Sequence, residues 1–278
     1  MHSRITLIAV LVLSVSFFCH AQQTATCDHW TFFKSFSASG INRWNTVVGT
    51  GPFSDVGFVR YSNGSVTTYK FPNATQTHFS KRNKFGVTVG DIDFTHGLVV
   101  YGSSATTVDV PDAPQTILTG INKWYTMVGT YQYGDDKDFG PLWTGFKMWK
   151  NGSFTPIGGP PGALNANPTS ISDTGIVVGW YVSDAVPFTP YPKHGFVLAN
   201  GVYKTLDYPN AFRTFLNDIN SAGVIVGSWE WGGGFLYVNG KFKDVLGPNG
   251  ETTAVNGIND YGYVTGTSSA GSFIAHCQ

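Results

Sequence analysis

The sequence is poor in charge, and the few charged residues cancel. Charged residues make up 12% of the 278 positions, with 17 basic side chains against 17 acidic ones, where a globular protein usually has about 25%. Nucleic-acid-binding proteins normally carry a basic excess, so this balance argues against a nucleic-acid partner. A hydrophobic content of 42% excludes a disordered chain, which needs low hydrophobicity and high net charge.

Glutamate is almost missing. Glu230 and Glu251 are the only two, whereas the chain contains 34 glycines and 15% aromatic residues. Aromatic residues fit strands and glycines fit tight turns, so the composition favours many short strands over helices.

Long apolar runs are absent beyond the N-terminus. There, Arg4 is followed by a mostly apolar run from Ile5 to Phe18 and then by Cys19-His20-Ala21. A charged start, an apolar stretch and small residues at the cleavage position are typical of a signal peptide. The run is shorter than the ~20 residues of a spanning helix. We therefore predict a signal peptide over 1–21, one mature domain over 22–278, no membrane insertion, and a secreted or periplasmic location.

A repeated pattern runs through the mature chain. In six segments an asparagine or serine anchor is followed seven positions later by a glycine, as in Asn42 with Gly49. A triplet such as Pro72-Asn73-Ala74 precedes five of the segments, and its last residue lies nine positions before the anchor each time. The six anchors are Asn42, Asn83, Asn122, Ser172, Asn220 and Asn259.

Each repeat divides into four short strands, which we call a to d. Asn-Gly pairs such as Asn200-Gly201 close the c–d hairpin, because both central residues of a type I′ turn need a positive φ. Six four-stranded units of about 40 residues predict an all-β fold, a six-bladed β-propeller with antiparallel blades. A β-solenoid is the alternative, although its coils are usually shorter.

Several short motifs recur in register over residues 34–278. They are the Ile-Asn-x-x-Gly-x-x-Val-Gly segments, His96-Gly97-Leu98, His194-Gly195-Phe196 and the run from Thr106 to Pro111. This pattern resembles the bacterial extracellular HAF-repeat proteins. The resemblance implies an exported repeat domain and carries no established reaction. Asn45 and Tyr125 depart from the pattern, since each replaces the glycine of the a–b turn.

Cysteine is scarce, and its positions bear on how the ring closes. The sixth repeat stops after strand c, so we expect the N-terminal segment from Thr24 to Trp30 to complete the last blade. This closure removes open sheet edges and brings Cys27 near Cys277, where an exported protein can form a disulfide. If the last blade keeps the register of the other repeats, the two cysteines are offset along their neighbouring strands by four residues, which is roughly 13 Å. A disulfide needs Cα atoms within about 7 Å, so two free thiols remain the alternative.

Familiar catalytic and cofactor motifs are also missing. The sequence contains no paired-cysteine metal box, no His-Glu-x-x-His segment, no phosphate-binding glycine loop before a helix and no Gly-x-Ser-x-Gly segment. We therefore expect no cofactor, no metal and no catalytic residue. His96 and His194 occupy the same repeat position, which favours a structural role for both.

The informative departure is the length of repeats 3 and 4, each of which is longer by about nine residues in the b–c connection. In an antiparallel blade the b–c and d–a connections share one end, so both insertions lie on one face. Loops on a rigid scaffold commonly carry function, and aromatic faces beside carboxylates suit sugars. The alternative is that the insertions only pack on each other. The predicted ligand-binding residues are Tyr133, Asp136, Trp143, Trp180, Tyr191, Trp229, Glu230 and Trp231.

Two functions are compatible with these features. The first is a monomeric, non-catalytic binding or scaffold propeller whose partner is a glycan, a cell-envelope polymer or another protein. The second is a propeller glycoside hydrolase that uses loop carboxylates. A hydrolase needs two carboxylates within about 10 Å, for which Glu230 and the acidic cluster from Asp135 to Asp138 are the candidates.

Overall fold

The six repeats form the six blades of a β-propeller, as the sequence predicts. A computed structural model describes residues 23–136, 140–183 and 191–278. The predicted signal peptide, residues 1–21, lies outside these residues. Each blade is an antiparallel sheet in which successive strands are neighbours, so strand a is innermost and strand d outermost.

Two N-terminal strands, β1 (Gln23–Thr24) and β2 (Cys27–Phe33), precede the first full blade. Blade 1 contains β3 (Ser37–Ile41), β4 (Val47–Thr50), β5 (Gly57–Arg60) and β6 (Val66–Tyr69). Blade 2 contains β7 (Thr77–Arg82), β8 (Thr88–Ile92), β9 (His96–Tyr101) and β10 (Ser104–Val108). Blade 3 contains β11 (Thr116–Ile121), β12 (Met127–Asp136), β13 (Gly140–Met148) and β14 (Phe154–Ile157).

Blade 4 contains β15 (Ala163–Ile171), β16 (Val177–Ser183), β17 (Lys193–Ala199) and β18 (Val202–Thr205). Blade 5 contains β19 (Thr214–Ile219), β20 (Ile225–Trp229), β21 (Gly233–Val238) and β22 (Lys241–Val245). Blade 6 contains β23 (Thr253–Ile258), β24 (Tyr263–Ser268) and β25 (Gly271–Cys277). Short 3-10 turns cover Pro52–Ser54 and Glu230–Gly232.

The N-terminal strand closes the ring. β2 pairs with β25 as the outermost strand of blade 6, and Cys27 and Cys277 are direct partners, joined by a disulfide with Cα atoms 4.2 Å apart. The strict repeat register does not hold here, because β2 bulges between Asp28 and Thr31. β1 adds a fifth strand to blade 5, parallel to β22, which the sequence pattern does not predict.

The glycine seven positions after each anchor is required by close packing. It lies on strand b, and a side chain at Gly49 would overlap the carbonyl oxygen of Ser37 on strand a and the ring of Phe58 on strand c. Gly129 and Gly266 meet equivalent obstacles. The repeat therefore keeps glycine where a strand carbonyl and a buried aromatic ring leave no room for Cβ.

The c–d hairpins follow the predicted turn in only some blades. Asn200-Gly201 and Asn239-Gly240 both have positive φ at each residue, as a type I′ turn needs. At Asn63-Gly64 the loop is longer and only the glycine has positive φ, while the Asn63 side chain accepts the backbone N–H of Ser65.

The anchor asparagines form a ring at the a–b end of the channel. In Asn122, Oδ1 accepts the backbone N–H groups of Trp124 and Thr126, and Nδ2 donates to the carbonyl of Ser172 in the next blade. Asn42, Asn83, Asn220 and Asn259 make the same set of bonds. Ser172 accepts the N–H of Ile176, but its shorter side chain makes no bond to the next anchor among the described residues.

A buried ion pair crosses the channel below this ring. Lys81 of blade 2 pairs with Asp218 of blade 5, which stands opposite in a six-membered ring. Asp218 is fully buried and also accepts hydrogen bonds from the hydroxyl of Ser170 and the backbone N–H of Ile258. Gly40 occupies the position in blade 1 that Lys81 occupies in blade 2, and a Cβ on Gly40 would lie 3.1 Å from Cδ of the Lys81 side chain. Small residues around the axis thus leave room for one long side chain.

Candidate functional site

A cleft of about 520 Å³ opens on the b–c face of blade 5. We call it the blade 5 cleft, and it is lined by Phe212, Arg213, Phe215, Glu230 and Trp231. Phe212 and Arg213 come from the d–a connection, Phe215 from β19, and the other two from the b–c turn. The cleft therefore lies where these two connections meet, on the face that carries the insertions of repeats 3 and 4.

Glu230 holds the two connections together. Its Oε1 accepts the backbone N–H of Phe212 at 2.5 Å and its Oε2 accepts that of Arg213 at 2.6 Å. Slight burial raises the pKa of Glu230, but these N–H bonds and the charge of Arg213 outweigh it and keep the pKa below its ordinary value. Asp93 in blade 2 binds the N–H groups of Thr75 and Gln76 in the same way. The carboxylate of Glu230 is thus ionised and occupied by backbone donors.

Trp231 is an exposed aromatic residue in a strained conformation. Its φ is 75°, and 88% of its surface is exposed. Phe53 and Phe94 sit in the b–c connections of blades 1 and 2, also with positive φ, and Phe53 is 97% exposed. Bulky residues rarely adopt this conformation, and such strain clusters at functional sites. Trp231 and the exposed ring of Phe212 give the cleft an aromatic surface.

A lysine lies at the edge of the cleft. Nζ of Lys193 is 4.1 Å from the ring centre of Trp180 and 5.1 Å from that of Phe215, which also lines the cleft. Burial lowers the pKa of Lys193, and the positive charge of Arg213 lowers it further. The Lys193 amine therefore gives up its proton more readily than an ordinary lysine.

The predicted ligand-binding residues occupy three different environments. Glu230 and Trp231 line the cleft, and Trp180 packs edge-to-face on Phe215 at 5.8 Å. Trp229 stacks on Tyr208 at 5.2 Å, within the core of blade 5, and desolvation by this packing, with the hydrogen bond to Asp244, raises the pKa of Tyr208.

The remaining predicted residues belong to blades 3 and 4. Tyr133 is exposed on β12, and Trp143 is half-buried on the neighbouring β13. Tyr191 is half-buried just before β17. Asp136 ends β12, but its side chain lies outside the described residues, as do residues 137–139 and 184–190. Ligand contact by these residues, and a carboxylate pair between Glu230 and the Asp135 to Asp138 cluster, therefore stay predictions.

Sequence reasoning missed the residues that the d–a connection brings to the cleft. Phe212 and Arg213 directly follow the Pro209-Asn210-Ala211 triplet. The signal was present, since d–a and b–c connections share one end of every blade. The b–c connections account for nearly all of the added length in repeats 3 and 4, however, and repeat length alone does not point to the d–a connection.

Histidine–aspartate pairs occur in two different settings in the fold. Nδ1 of His194 lies 2.7 Å from Asp207, whose other oxygen accepts the N–H of Gly195. His96 and Asp109 repeat this arrangement in blade 2, which agrees with a structural role at the start of strand c. In contrast, His78 and Asp91 form a buried pair at 2.9 Å on β7 and β8, and the equivalent positions of the other blades hold no such pair.

The comparisons with known proteins concern the fold. No family model matches the chain, and no curated protein matches it significantly. A gluconolactonase from Xanthomonas campestris shares 8% identity at a TM-score of 0.58, covering 89% of this chain and 88% of that one. A catalytically inactive virginiamycin B lyase from Staphylococcus aureus with quinupristin shares 10% identity at a TM-score of 0.54, covering 90% and 98%. A calcium-binding protein, regucalcin, from Agrobacterium tumefaciens shares 11% identity at a TM-score of 0.52, covering 88% and 90%.

These likenesses correct one expectation. The gluconolactonase and the lyase are enzymes by name, so the expected non-catalytic binding or scaffold protein is wrong, and the enzymatic alternative is better supported. Calcium takes six to eight oxygen ligands, and Asp218 inside the channel does not suit it, because its carboxylate already pairs with Lys81. No helix among the described residues is long and apolar enough to cross a membrane. The chain shares the fold of these propellers.

Proposed function

We propose that the protein is an enzyme that acts on an acidic carbohydrate at the blade 5 cleft. The observation that carries the proposal is the juxtaposition of Lys193, with its lowered pKa, and Arg213 at the edge of an aromatic cleft. A gluconolactonase with this fold, which by name acts on a sugar derivative, supports the substrate class. The disulfide between Cys27 and Cys277 supports export, because disulfides persist in oxidising compartments.

The charges of the cleft favour an anionic substrate. Arg213 supplies a guanidinium, which suits bidentate binding of a carboxylate. Glu230, the only carboxylate among the described residues that line the cleft, is held by backbone N–H groups. A glycosidase needs one carboxyl group with a raised pKa as its acid, and the pKa of Glu230 is shifted the other way. The cleft therefore suits proton abstraction by an amine better than a pair of carboxylates.

The proposed reaction is an elimination. With the substrate carboxylate on Arg213 and the sugar ring stacked on Trp231, the Lys193 amine takes the proton from the carbon next to the carboxylate. The electron pair forms a carbon–carbon double bond, and the glycosidic oxygen on the neighbouring carbon leaves with its bonding pair and takes a proton from water. The four-carbon stem of a lysine allows Nζ to move from the face of Trp180 toward the substrate.

The test is a turnover assay on uronate-containing and neutral oligosaccharides. Elimination produces an unsaturated product, seen by ultraviolet absorbance, whereas hydrolysis produces new reducing ends without this absorbance. We expect turnover of the uronates alone, and a loss of about 10²–10⁴-fold in kcat for Lys193→Met, the usual contribution of a general base. Lys84→Met is the matched control, because Lys84 lies over Phe85 on the opposite face. Absence of turnover, unchanged kcat in Lys193→Met, or hydrolysis alone would overturn the proposal.

A further inference from the structure

Three metal-ligating side chains converge at the seam where the propeller closes. Asp28 and His29 belong to β2 and His276 to β25, and one ligand atom from each lies within 4.8 Å of the others. Nδ1 of His29 is 2.8 Å from Oδ1 of Asp28, and Nδ1 of His276 is 3.3 Å from it. Ligand atoms in a tetrahedral zinc site are about 3.3 Å apart. Small side-chain rotations therefore bring all three onto one ion.

The surrounding structure already orients these ligands. The disulfide joins Cys27 and Cys277, the residues next to Asp28 and His276. His29 has a left-handed φ of 53° at the bulge of β2, a conformation that is costly away from glycine and is often found at functional sites.

His276 is held in place by residues of its own blade. The ring of Tyr263 packs at 5.1 Å from that of His276, and a Cβ at Gly262 would lie 3.3 Å from its Nε2. Nε2 therefore faces the a–b turn of blade 6, and Nδ1 faces Asp28.

This cluster differs from the histidine–aspartate pairs of the repeat. His96 and His194 each have one aspartate, whose second oxygen binds a backbone N–H. At the seam, two imidazoles face one carboxylate, and Asp28 and His29 are exposed. Two imidazoles and one carboxylate, with solvent free to supply a fourth ligand, make up a ligand set of the kind that binds Zn²⁺ in tetrahedral sites.

We propose that Asp28, His29 and His276 form a zinc site that joins the two ends of the chain. Because two ligands come from β2 and one from β25, a bound ion is a second link across the seam that the disulfide closes. The site is separate from the blade 5 cleft, and the proposal does not depend on the activity suggested for that cleft.

Calorimetric titration of the oxidised mature protein, without a histidine tag, with a zinc salt tests the binding. We expect one equivalent of Zn²⁺ to bind to the wild type and to His96→Ala, whose histidine pairs with Asp109 alone. We expect His276→Ala to lose this binding. Absence of stoichiometric binding in the wild type, or equal binding in His276→Ala, would overturn the site.

The linking role is tested with the disulfide removed. The double variant Cys27→Ser with Cys277→Ser avoids thiols that would bind zinc themselves. Zn²⁺ should raise its melting temperature by several degrees, since a ligand of the folded state stabilises that state, and the addition of His276→Ala should abolish the rise. A melting temperature that zinc leaves unchanged would show that the ion does not hold the seam.

Discussion

The two ends of the propeller channel are built on opposite principles. At the a–b end, five anchor asparagines make the same bonds to their own turn and to the next blade. At the b–c end, the connections differ in length and sequence, and a cleft opens at blade 5. The difference teaches that repetition marks what holds the ring together, whereas departures from the repeat mark where chemistry can be placed.

The largest expected effect comes from the ion pair beside the anchor ring. Asp218→Asn leaves Lys81 with an unpaired charge in the channel, which should cost about 3–5 kcal/mol of unfolding free energy. Asp173→Asn is the control, since Asp173 pairs with Lys123 at 3.6 Å on a more exposed surface, where such pairs contribute about 0–1 kcal/mol. Urea unfolding of both variants measures the difference. Equal losses would show that the channel pair does not support the ring.

Breaking one repeated contact should have a smaller effect. Asn122→Ala removes two bonds within its turn and one to blade 4, for an expected loss of about 1–3 kcal/mol in urea unfolding. Asn151→Ala, at an exposed c–d turn, should cost less than about 1 kcal/mol. If the two variants are equally stable, the ring of anchors is not the stabilising feature.

Completing the ring of anchor hydrogen bonds should increase the stability of the protein modestly. Ser172 is the one anchor too short to reach the next blade, and Ser172→Asn supplies the missing amide. We expect a gain of about 0.5–1.5 kcal/mol in unfolding free energy, the net contribution of one hydrogen bond. A loss of stability would contradict the idea that this position follows the same rule as the other five.

The smallest effect concerns the b–c end, where Glu230 holds the b–c turn of blade 5 to the neighbouring d–a connection. The pKa of Glu230 is lowered in the folded protein, so its contribution is present above the ordinary glutamate value of about 4.3. The contribution is lost as the pH falls through the lowered folded pKa. Glu230→Gln should therefore lose less stability than the wild type between about pH 6 and pH 3. Glu251→Gln removes the other glutamate and controls for charge; an identical pH dependence in wild type and Glu230→Gln would contradict the prediction.

The fold could be predicted because its repeated turns depend on residues that are close in the sequence. In the Asn-x-x-Gly turn the asparagine side chain accepts backbone N–H groups within four residues of itself, so a short stretch of sequence is enough to recognise each turn. The bridge between Cys27 and Cys277 was predictable in outline, because an incomplete last repeat needs the N-terminal strand. Its register was not, because a bulge in β2 adjusts the pairing.

The sequence by itself determined the repeats, the strand-b glycines and the closure of the ring, since these depend on residues close in the chain or on counting strands. Only the tertiary structure decided that Lys81 meets Asp218, 137 positions away, that Arg213 and Lys193 share the edge of a cleft, and that His276 meets Asp28, 248 positions away. Such contacts depend on which blades stand opposite or adjacent in the closed ring. The physical reason is that ring closure fixes these distances, and no short-range pattern encodes them.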